Sequence, residues 1–150
     1  MLELYGCPPS VVPGPRTASM ISITAKSPYA VQALTELGRA GGVTTPVPVA
    51  ELARRREIPG QFLEQLFATL RRAGLLRSQR GVHGGYVLTR DAREITILEV
   101  VEMLDGPLGQ DSTGVFSEVA EAARAVLAGT TIQDIIDREA REQGQTMYWI

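Results

Sequence analysis

A short segment near the middle of the chain separates polar from apolar side chains. At about 100° per residue, Gln61, Gln65 and Arg72 share one face of the helix predicted for 61–73, together with the small residue Ala68. The opposite face is apolar: Leu63, Leu66, Phe67 and Leu70. Glutamine and arginine can form paired hydrogen bonds with a planar polar edge such as that of a nucleic-acid base, and alanine permits close approach. This face is therefore either a base-binding surface or an exposed polar face without a partner.

A basic residue followed by glycines forms a second candidate site. The run Arg80-Gly81-Val82-His83-Gly84-Gly85-Tyr86 separates two segments of strand character, LLRSQ and YVLTR. Glycines let a hairpin tip turn sharply and lie against a sugar–phosphate backbone. We therefore expect a β-hairpin over 75–89 whose tip presents Arg80 and His83. Because no cysteine, second histidine or acidic cluster accompanies His83, a phosphate contact or simple exposure is favoured over a metal site.

Proline, glycine and capping signals divide the chain before this hairpin into three helices. Thr24 or Ser27 predicts the start of the first helix, and Gly41-Gly42 predicts its end. The second helix is predicted for 49–56, and Ile58-Pro59-Gly60 predicts the turn into the third. Two helices joined by a tight turn and followed by a hairpin are the winged helix-turn-helix pattern. The predicted fold class is therefore α+β and mostly helical.

Arginines flank the polar face of the third helix. Arg54 and Arg55 lie in the last turn of the second helix, Arg71 lies in the last turn of the third and Arg77 follows it, so all four could hold phosphate groups. Glu57 stands in the turn where many such motifs carry glycine. With base contacts from the polar face and phosphate contacts around it, double-stranded DNA is the ligand that the arrangement predicts.

The second half of the chain predicts more helix. A Thr96–Glu99 capping box starts a fourth helix, and Asp105-Gly106-Pro107 ends it. After a loop over 106–114, five residues form an apolar stripe at helical spacing: Phe116, Val119, Ala123, Val126 and Leu127. Thr130, with Gln133 three residues later, predicts the cap of a last helix that runs to about Gln143. Because a thin domain cannot wholly bury the stripe, we expect it to form a dimer interface.

Charge is divided unequally along the chain. The net charge is −2, but residues 20–95 carry eleven Lys and Arg against six Asp and Glu, a net charge of +5. Residues 96–150 carry three Arg against ten Asp and Glu, a net charge of −7. A basic half that could meet phosphates is thus joined to an acidic half that could not.

Several classes of protein are not predicted. No apolar run approaches the roughly 18 residues that span a bilayer, and no signal peptide is present, so we expect a cytoplasmic protein without membrane contact. Residues 1–19 contain four prolines and are predicted to be a flexible leader. The lone Cys7 excludes an intramolecular disulfide and a four-thiolate metal site. An enzyme is not expected, because the chain has no phosphate-binding loop or nucleophile motif.

Three stretches of the sequence resemble the Rrf2 family of bacterial transcriptional regulators, over about residues 21–136. They are TAKSPYAVQALTEL, FLEQLFATLRRAGLLRSQRGVHGGYVLTR and ITILEVVEMLDGPL. The resemblance implies a homodimer that binds a pseudo-palindromic operator. It also implies DNA recognition through Glu64 and Gln65 of the third helix and Arg80 of the wing, with backbone contacts near Lys26 and Tyr29.

Two departures from the family pattern affect what the resemblance implies. Pro59-Gly60-Gln61 stands at a helix start where several members carry hydroxyl residues, so the operator preference is expected to differ. Members that bind an iron–sulfur cluster carry three cysteines between the fourth helix and the dimer helix, whereas the interval 105–117 has none. Because thiolates are the usual anchors of such clusters, we expect a member of the family without a cluster or other cofactor.

These observations predict four parts in the chain: a leader (1–19), a winged helix-turn-helix DNA-binding domain (20–105), a loop (106–114) and a helical dimerisation tail (115–150). The predicted function is transcriptional regulation, as repressor or activator, by a homodimer on its operator. A small-molecule or protein effector stays open as a further partner. The alternative is a winged helix used as a protein–protein interaction module, with the acidic tail as its working surface.

Overall fold

The computed structural model describes residues 22–148, with side chains described for 22–144. This part of the chain is mostly helical with one small antiparallel sheet, which confirms the predicted α+β class. In chain order the elements are α1 (Lys26–Ala40), α2 (Val49–Arg56), α3 (Gly60–Arg72), β1 (Leu76–Gln79), β2 (Gly85–Leu88), a 3-10 turn (Ala92–Glu94), α4 (Ile97–Asp105), α5 (Val115–Ala128) and α6 (Ile132–Tyr148). The leader predicted for 1–19, with Cys7, lies outside the described residues.

Local signals fix most helix boundaries. α2 has the predicted bounds, and α3 begins one residue early, at Gly60, with Pro59 at its N-cap position. α4 opens with the predicted capping box, in which the Thr96 hydroxyl accepts a hydrogen bond from the Glu99 amide at 3.2 Å. The Glu99 carboxylate accepts one from the Thr96 amide in return, at 3.0 Å. These boundaries depend on neighbouring residues only, and for that reason the sequence predicts them well.

The start of α1 corrects a predicted cap. Ala25, rather than Thr24 or Ser27, occupies the N-cap position, although the Thr24 hydroxyl accepts a hydrogen bond from the Lys26 amide at 3.3 Å. The hydroxyls of Thr24 and Ser27 both donate to the Asp105 carboxylate at the end of α4, each at 2.5 Å, and the Thr24 amide adds a third bond at 3.1 Å. Ser27 is buried, so its hydroxyl needs a partner inside the fold. This Asp105 clasp (Thr24, Ser27, Asp105) therefore ties the first turn of α1 to α4.

The last helix also differs from its prediction. Its cap is Thr131 rather than Thr130, because the Thr130 hydroxyl donates to the Val126 carbonyl at 2.8 Å and so belongs to the end of α5. The Thr131 hydroxyl accepts from the Asp134 amide (3.1 Å), and the Asp134 carboxylate accepts from the Thr131 amide (2.9 Å). The helix extends beyond Gln143 to Tyr148.

One hydrophobic core joins both halves of the chain. The four apolar residues predicted for the inner face of α3 are all buried: Leu63, Leu66, Phe67 and Leu70. They pack with Leu34 and Leu37 of α1 and with Ile132, which is fully buried at the start of α6. α6 thus returns to lie against α1, and among the described residues the exposed large apolar side chains are concentrated on α5.

The wing is anchored to the domain by backbone pairing. β1 and β2 pair antiparallel from Leu76 opposite Leu88 to Gln79 opposite Gly85. Val47, in the connection between α1 and α2, exchanges two hydrogen bonds with Tyr86, at 2.9 and 3.0 Å. The hairpin is therefore held along one edge by the chain that leads into α2.

The turn between α2 and α3 explains the unusual Glu57. Its φ of 54° and ψ of 42° lie in the left-handed region, and it is the only non-glycine residue with a positive φ among the described residues. The glycine that many such motifs carry at this place avoids the strain that a side chain adds here. The turn has the helix-turn-helix backbone although its sequence does not carry the usual residue.

An ionic bridge holds α6 to the helix-turn-helix; we define it as Glu36, Arg39, Arg56 and Glu139. Arg56 at the end of α2 donates to both carboxylate oxygens of Glu139 (3.0 and 2.8 Å) and to Glu36 of α1 (3.0 Å). Arg39 donates to the same Glu139 carboxylate at 2.6 Å. The hydrogen bonds from Arg56, and secondarily from Arg39, lower the pKa of Glu139.

This pKa shift predicts how the stability of wild-type protein and of Glu139→Gln depends on pH. A carboxyl whose pKa is lowered by folding stabilises the fold above its unfolded pKa, and that contribution is lost as the pH falls through the folded value. We expect Glu139→Gln to lower the urea midpoint at pH 7 and to differ less from wild type as the pH falls below the usual glutamate pKa of 4.5. Glu94→Gln, which removes an exposed carboxylate, is the control; a difference for Glu139→Gln that persists unchanged at low pH would contradict the assignment.

Candidate nucleic-acid interface

The outer side of α3 carries the polar residues singled out from the sequence. Gln61, Glu64, Gln65 and Arg72 are exposed, and Ala68 is half-buried between them. We call these five residues the recognition face. Since the opposite side of the helix is locked in the core, the recognition face cannot rotate inward and is presented on a rigid element.

The start of α1 lies beside this face. Lys26 lines a small pocket together with Gln65 and Thr69 of α3, and with three apolar side chains: Phe62, Leu66 and Leu104. Tyr29 contacts Phe62 edge to face, with ring centroids 5.6 Å apart. The Asp105 clasp fixes the same turn of α1. The fold therefore brings Lys26 and Tyr29, which lie 34 and 31 positions before the start of α3 in sequence, next to the recognition face.

The wing tip is the second exposed cationic element. Arg80, Val82 and His83 are exposed, and Val82 is 98% exposed. Behind the tip, Tyr86 packs edge to face on the buried Phe67 of α3, with ring centroids 5.3 Å apart. A packed aromatic pair thus joins α3 to the wing and fixes their relative position.

The arginines predicted to flank the interface differ in their partners. Arg71 is close to Ser78 of β1 (3.5 Å), and Arg72 donates to Thr69 on its own helix (3.3 Å). Both contacts are weak and exposed. Arg54 and Arg55, in contrast, donate charge-assisted hydrogen bonds to carboxylates, chiefly that of Glu51.

Sequence reasoning missed these carboxylate partners. Glu51 precedes Arg54 by three positions and Arg55 by four, a spacing at which helical side chains meet. These two ion pairs could therefore have been predicted from the sequence. Arg55 also donates to Glu36 of α1 at 3.2 Å. That ion pair could not have been predicted from the sequence, because it depends on how α1 and α2 pack.

The stripe predicted on α5 is largely uncovered in the single chain. Phe116, Val119 and Val126 are 48%, 46% and 67% exposed. Ala123 is half-buried, and Leu127 is half-buried against the core. Val115, which the sequence pattern did not single out, adds a side chain that is 62% exposed. The large apolar side chains that α5 exposes are Val115, Phe116, Val119 and Val126.

The segment between α4 and α5 offers oxygen and amide groups and no thiols: Gln110, Asp111, Ser112 and Thr113. The Ser112 hydroxyl is already used, because it donates to the Gly109 carbonyl at 2.5 Å. Among the described residues, no three His, Cys, Asp or Glu side chains lie close enough together to hold a metal ion. This donor set does not fit an iron–sulfur cluster, which proteins anchor through cysteine thiolates. Within the same part of the chain, no helix has the length and apolar character needed to cross a membrane.

A helix-turn-helix with an exposed polar recognition helix and a basic β-wing is the architecture of a winged-helix DNA-binding protein. The family model described as "Rrf2: Iron-dependent Transcriptional regulator" matches residues 23–138. The regulator CymR of Bacillus subtilis (strain 168) is 30% identical over 139 residues, which cover 87% of this chain and all of CymR. The chain belongs to the Rrf2 family of transcriptional regulators.

Solved structures of relatives share the fold. The structure of CymR, described as the global cysteine regulator of B. subtilis, has a TM-score of 0.70 at 29% identity, and the match covers 79% of this chain and 98% of the CymR chain. IscR of T. potens has a TM-score of 0.69 at 32% identity and covers 82% of this chain and 91% of its own. The predictions of the family and of the winged fold are thus confirmed.

Proposed function

We propose that the protein is a sequence-specific transcriptional regulator that acts as a homodimer on a pseudo-palindromic operator. The observation that carries the proposal is the recognition face, a polar surface on a helix whose opposite side is buried in the core. Its basic surroundings support DNA as the ligand: residues 20–95 have a net charge of +5.

Within this proposal the side chains have different tasks. Gln65 and Arg72 contact base edges, with Gln61 and Glu64 beside them and Ala68 allowing close approach. Phosphate contacts come from residues around that face: Lys26, Tyr29, Arg54, Arg55 and Arg71. At the wing, Arg80 enters a narrow minor groove, as a guanidinium between glycines can, and His83 lies against the backbone.

The test begins with selection of bound duplexes from a random pool, which yields the operator. Gln65→Ala and Arg72→Ala are each expected to weaken operator binding by about 1–3 kcal/mol and to relax preference at one position per half-site, because each removes a base contact. Gln110→Ala and Arg138→Ala are matched controls, since both residues are exposed and lie outside the proposed interface. If both recognition-face variants keep the selected preference, α3 is not the element that recognises sequence. Failure to select any duplex would favour the interaction-module alternative.

Dimerisation sets the form of the operator. A two-fold dimer places its recognition helices in successive major grooves, about 34 Å or a multiple apart, on an inverted repeat. The exposed apolar stripe of α5 supports a self-complementary interface, since a symmetric dimer contacts the same surface on both subunits.

We also propose that this regulator works without an iron–sulfur cluster. The segment between α4 and α5 lacks thiols, and the single cysteine of the chain is Cys7. Protein purified anaerobically, with cluster assembly supplied, is expected to show no visible iron–sulfur absorption and no stoichiometric iron. DNA binding is expected to be unchanged in Cys7→Ser. A cluster in the purified protein would show that oxygen or imidazole ligands replace the cysteines.

A further inference from the structure

Two of the arginines proposed to contact DNA are engaged by the protein itself. Arg54 donates to both oxygens of the Glu51 carboxylate, from Nε at 3.2 Å and from Nη2 at 2.7 Å. Arg55 donates to one of the same oxygens from Nε at 2.8 Å. Glu51 thus binds two guanidinium groups at once, on the helix that leads directly into the turn before α3.

The geometry of the Arg54–Glu51 pair is that of a guanidinium bound to phosphate. Two neighbouring N–H groups of one guanidinium meet two oxygens of one anion, which is the side-by-side arrangement that arginine forms with carboxylates and phosphates alike. The Arg54 side chain is 71% exposed, so a phosphate can approach it from solvent. The same N–H groups cannot serve Glu51 and a phosphate together.

The carboxylate is charged whenever the protein would meet DNA. Hydrogen bonds from Arg54 and then Arg55 lower the pKa of Glu51 to about 2. Near neutral pH the competition is therefore always between two anions, the Glu51 carboxylate and a DNA phosphate.

We propose that Glu51 is an internal competitor of DNA phosphate for Arg54 and Arg55, and that it sets the sequence-independent part of the DNA affinity. The proposal rests on the function proposed above. The Nε and Nη2 groups of Arg54 must leave Glu51 before they can bind a phosphate side by side, so each such contact is formed at the cost of a charge-assisted pair. Arg55 keeps a second carboxylate partner in Glu36, so Arg54 is the cation that loss of Glu51 releases most completely.

The test compares Glu51→Gln with wild type on a random-sequence duplex across a salt series. We expect the variant to bind about three- to tenfold more tightly at low salt, with the slope of log affinity against log salt steeper by about 1, because Arg54, which Glu51 largely retains in the wild-type protein, then completes its phosphate contact and releases one more counterion. When Glu51 is present, Arg54→Ala is expected to change the DNA affinity less than about twofold. The Arg54–Glu51 pair that must be broken offsets what the Arg54–phosphate contact contributes. In Glu51→Gln/Arg54→Ala the gain should disappear.

The matched control is Glu57→Gln. It changes the net charge by the same amount at an exposed residue directly after α2, and it should give a smaller gain. Thermal unfolding of each variant checks that the fold is retained. Equal gains for Glu57→Gln and Glu51→Gln, or a gain that survives loss of Arg54, would overturn the proposal while leaving DNA binding intact. If wild type binds no duplex at any salt concentration, the proposed function fails, and this proposal fails with it.

Discussion

Val119→Asp combined with Val126→Asp is expected to convert the proposed dimer to a monomer and to abolish tight operator binding. The two residues are seven positions apart, two turns of α5, and therefore lie on the same side of that helix. Their side chains are 46% and 67% exposed in the single chain, so the substitutions do not touch the core. In a dimer formed through this stripe, they would bury two unpaired carboxylates on each subunit, which costs several kcal/mol.

The measurement is sedimentation at micromolar concentration together with operator binding. Ala125→Asp combined with Ala128→Asp is the matched control, because both alanines are exposed on α5 outside the stripe and the charge change is the same. The control pair should remain dimeric, and each monomeric variant should keep the helical content of wild type. Dimers retained by the first pair would mean that the interface lies elsewhere on the chain.

The part of the fold that the sequence predicts is the part that depends on neighbouring residues. The Thr96–Glu99 capping box and both faces of α3 follow from spacing within a few residues, and all of them are observed. The Asp105 clasp does not follow from spacing, because Thr24 and Ser27 reach a carboxylate 78 or 81 positions away. A hydroxyl residue before a helix looks like a cap from sequence alone, and only the packing of α1 on α4 reveals the competing acceptor.

In the candidate site, too, local features follow from the sequence and contacts between elements do not. Exposure of Gln65 follows from helical periodicity, but its proximity to Lys26 depends on how α1 crosses α3. The arginines of α2 illustrate the limit most clearly. Counting charges predicts cations available to phosphate, whereas the folded chain gives Arg54 a carboxylate on its own helix and gives Arg56 carboxylates on α1 and α6. Net charge therefore describes the electrostatic field around the protein, whereas ion pairs with carboxylates decide which arginines are available to bind a phosphate.

Gly85→Ala is expected to destabilise the protein by about 3 kcal/mol, at the high end of what inserting atoms into a packed site costs. A Cβ at this position would overlap the carbonyl group of Val47 and lie 2.6 Å from the backbone nitrogen of Pro48. These are backbone atoms, which cannot move aside as the end of a flexible side chain can. The overlap lies next to the two hydrogen bonds between Val47 and Tyr86, so relief of the clash requires the wing to separate from the connection before α2.

Urea unfolding and operator binding together test the expected effect of Gly85→Ala. Gly144→Ala on α6 is the matched control, because a Cβ there meets no atom within 4 Å and alanine suits a helix better than glycine. Gly85→Ala should lower the unfolding midpoint, and at temperatures where the variant stays folded it should also lose the contribution of Arg80 to DNA binding. That loss is expected to be larger on A·T-rich flanking sequence, where the minor groove is narrow, than on G·C-rich flanks. Stability within about 0.5 kcal/mol of wild type, the range of an ordinary surface substitution, would show that the wing is not held by Val47.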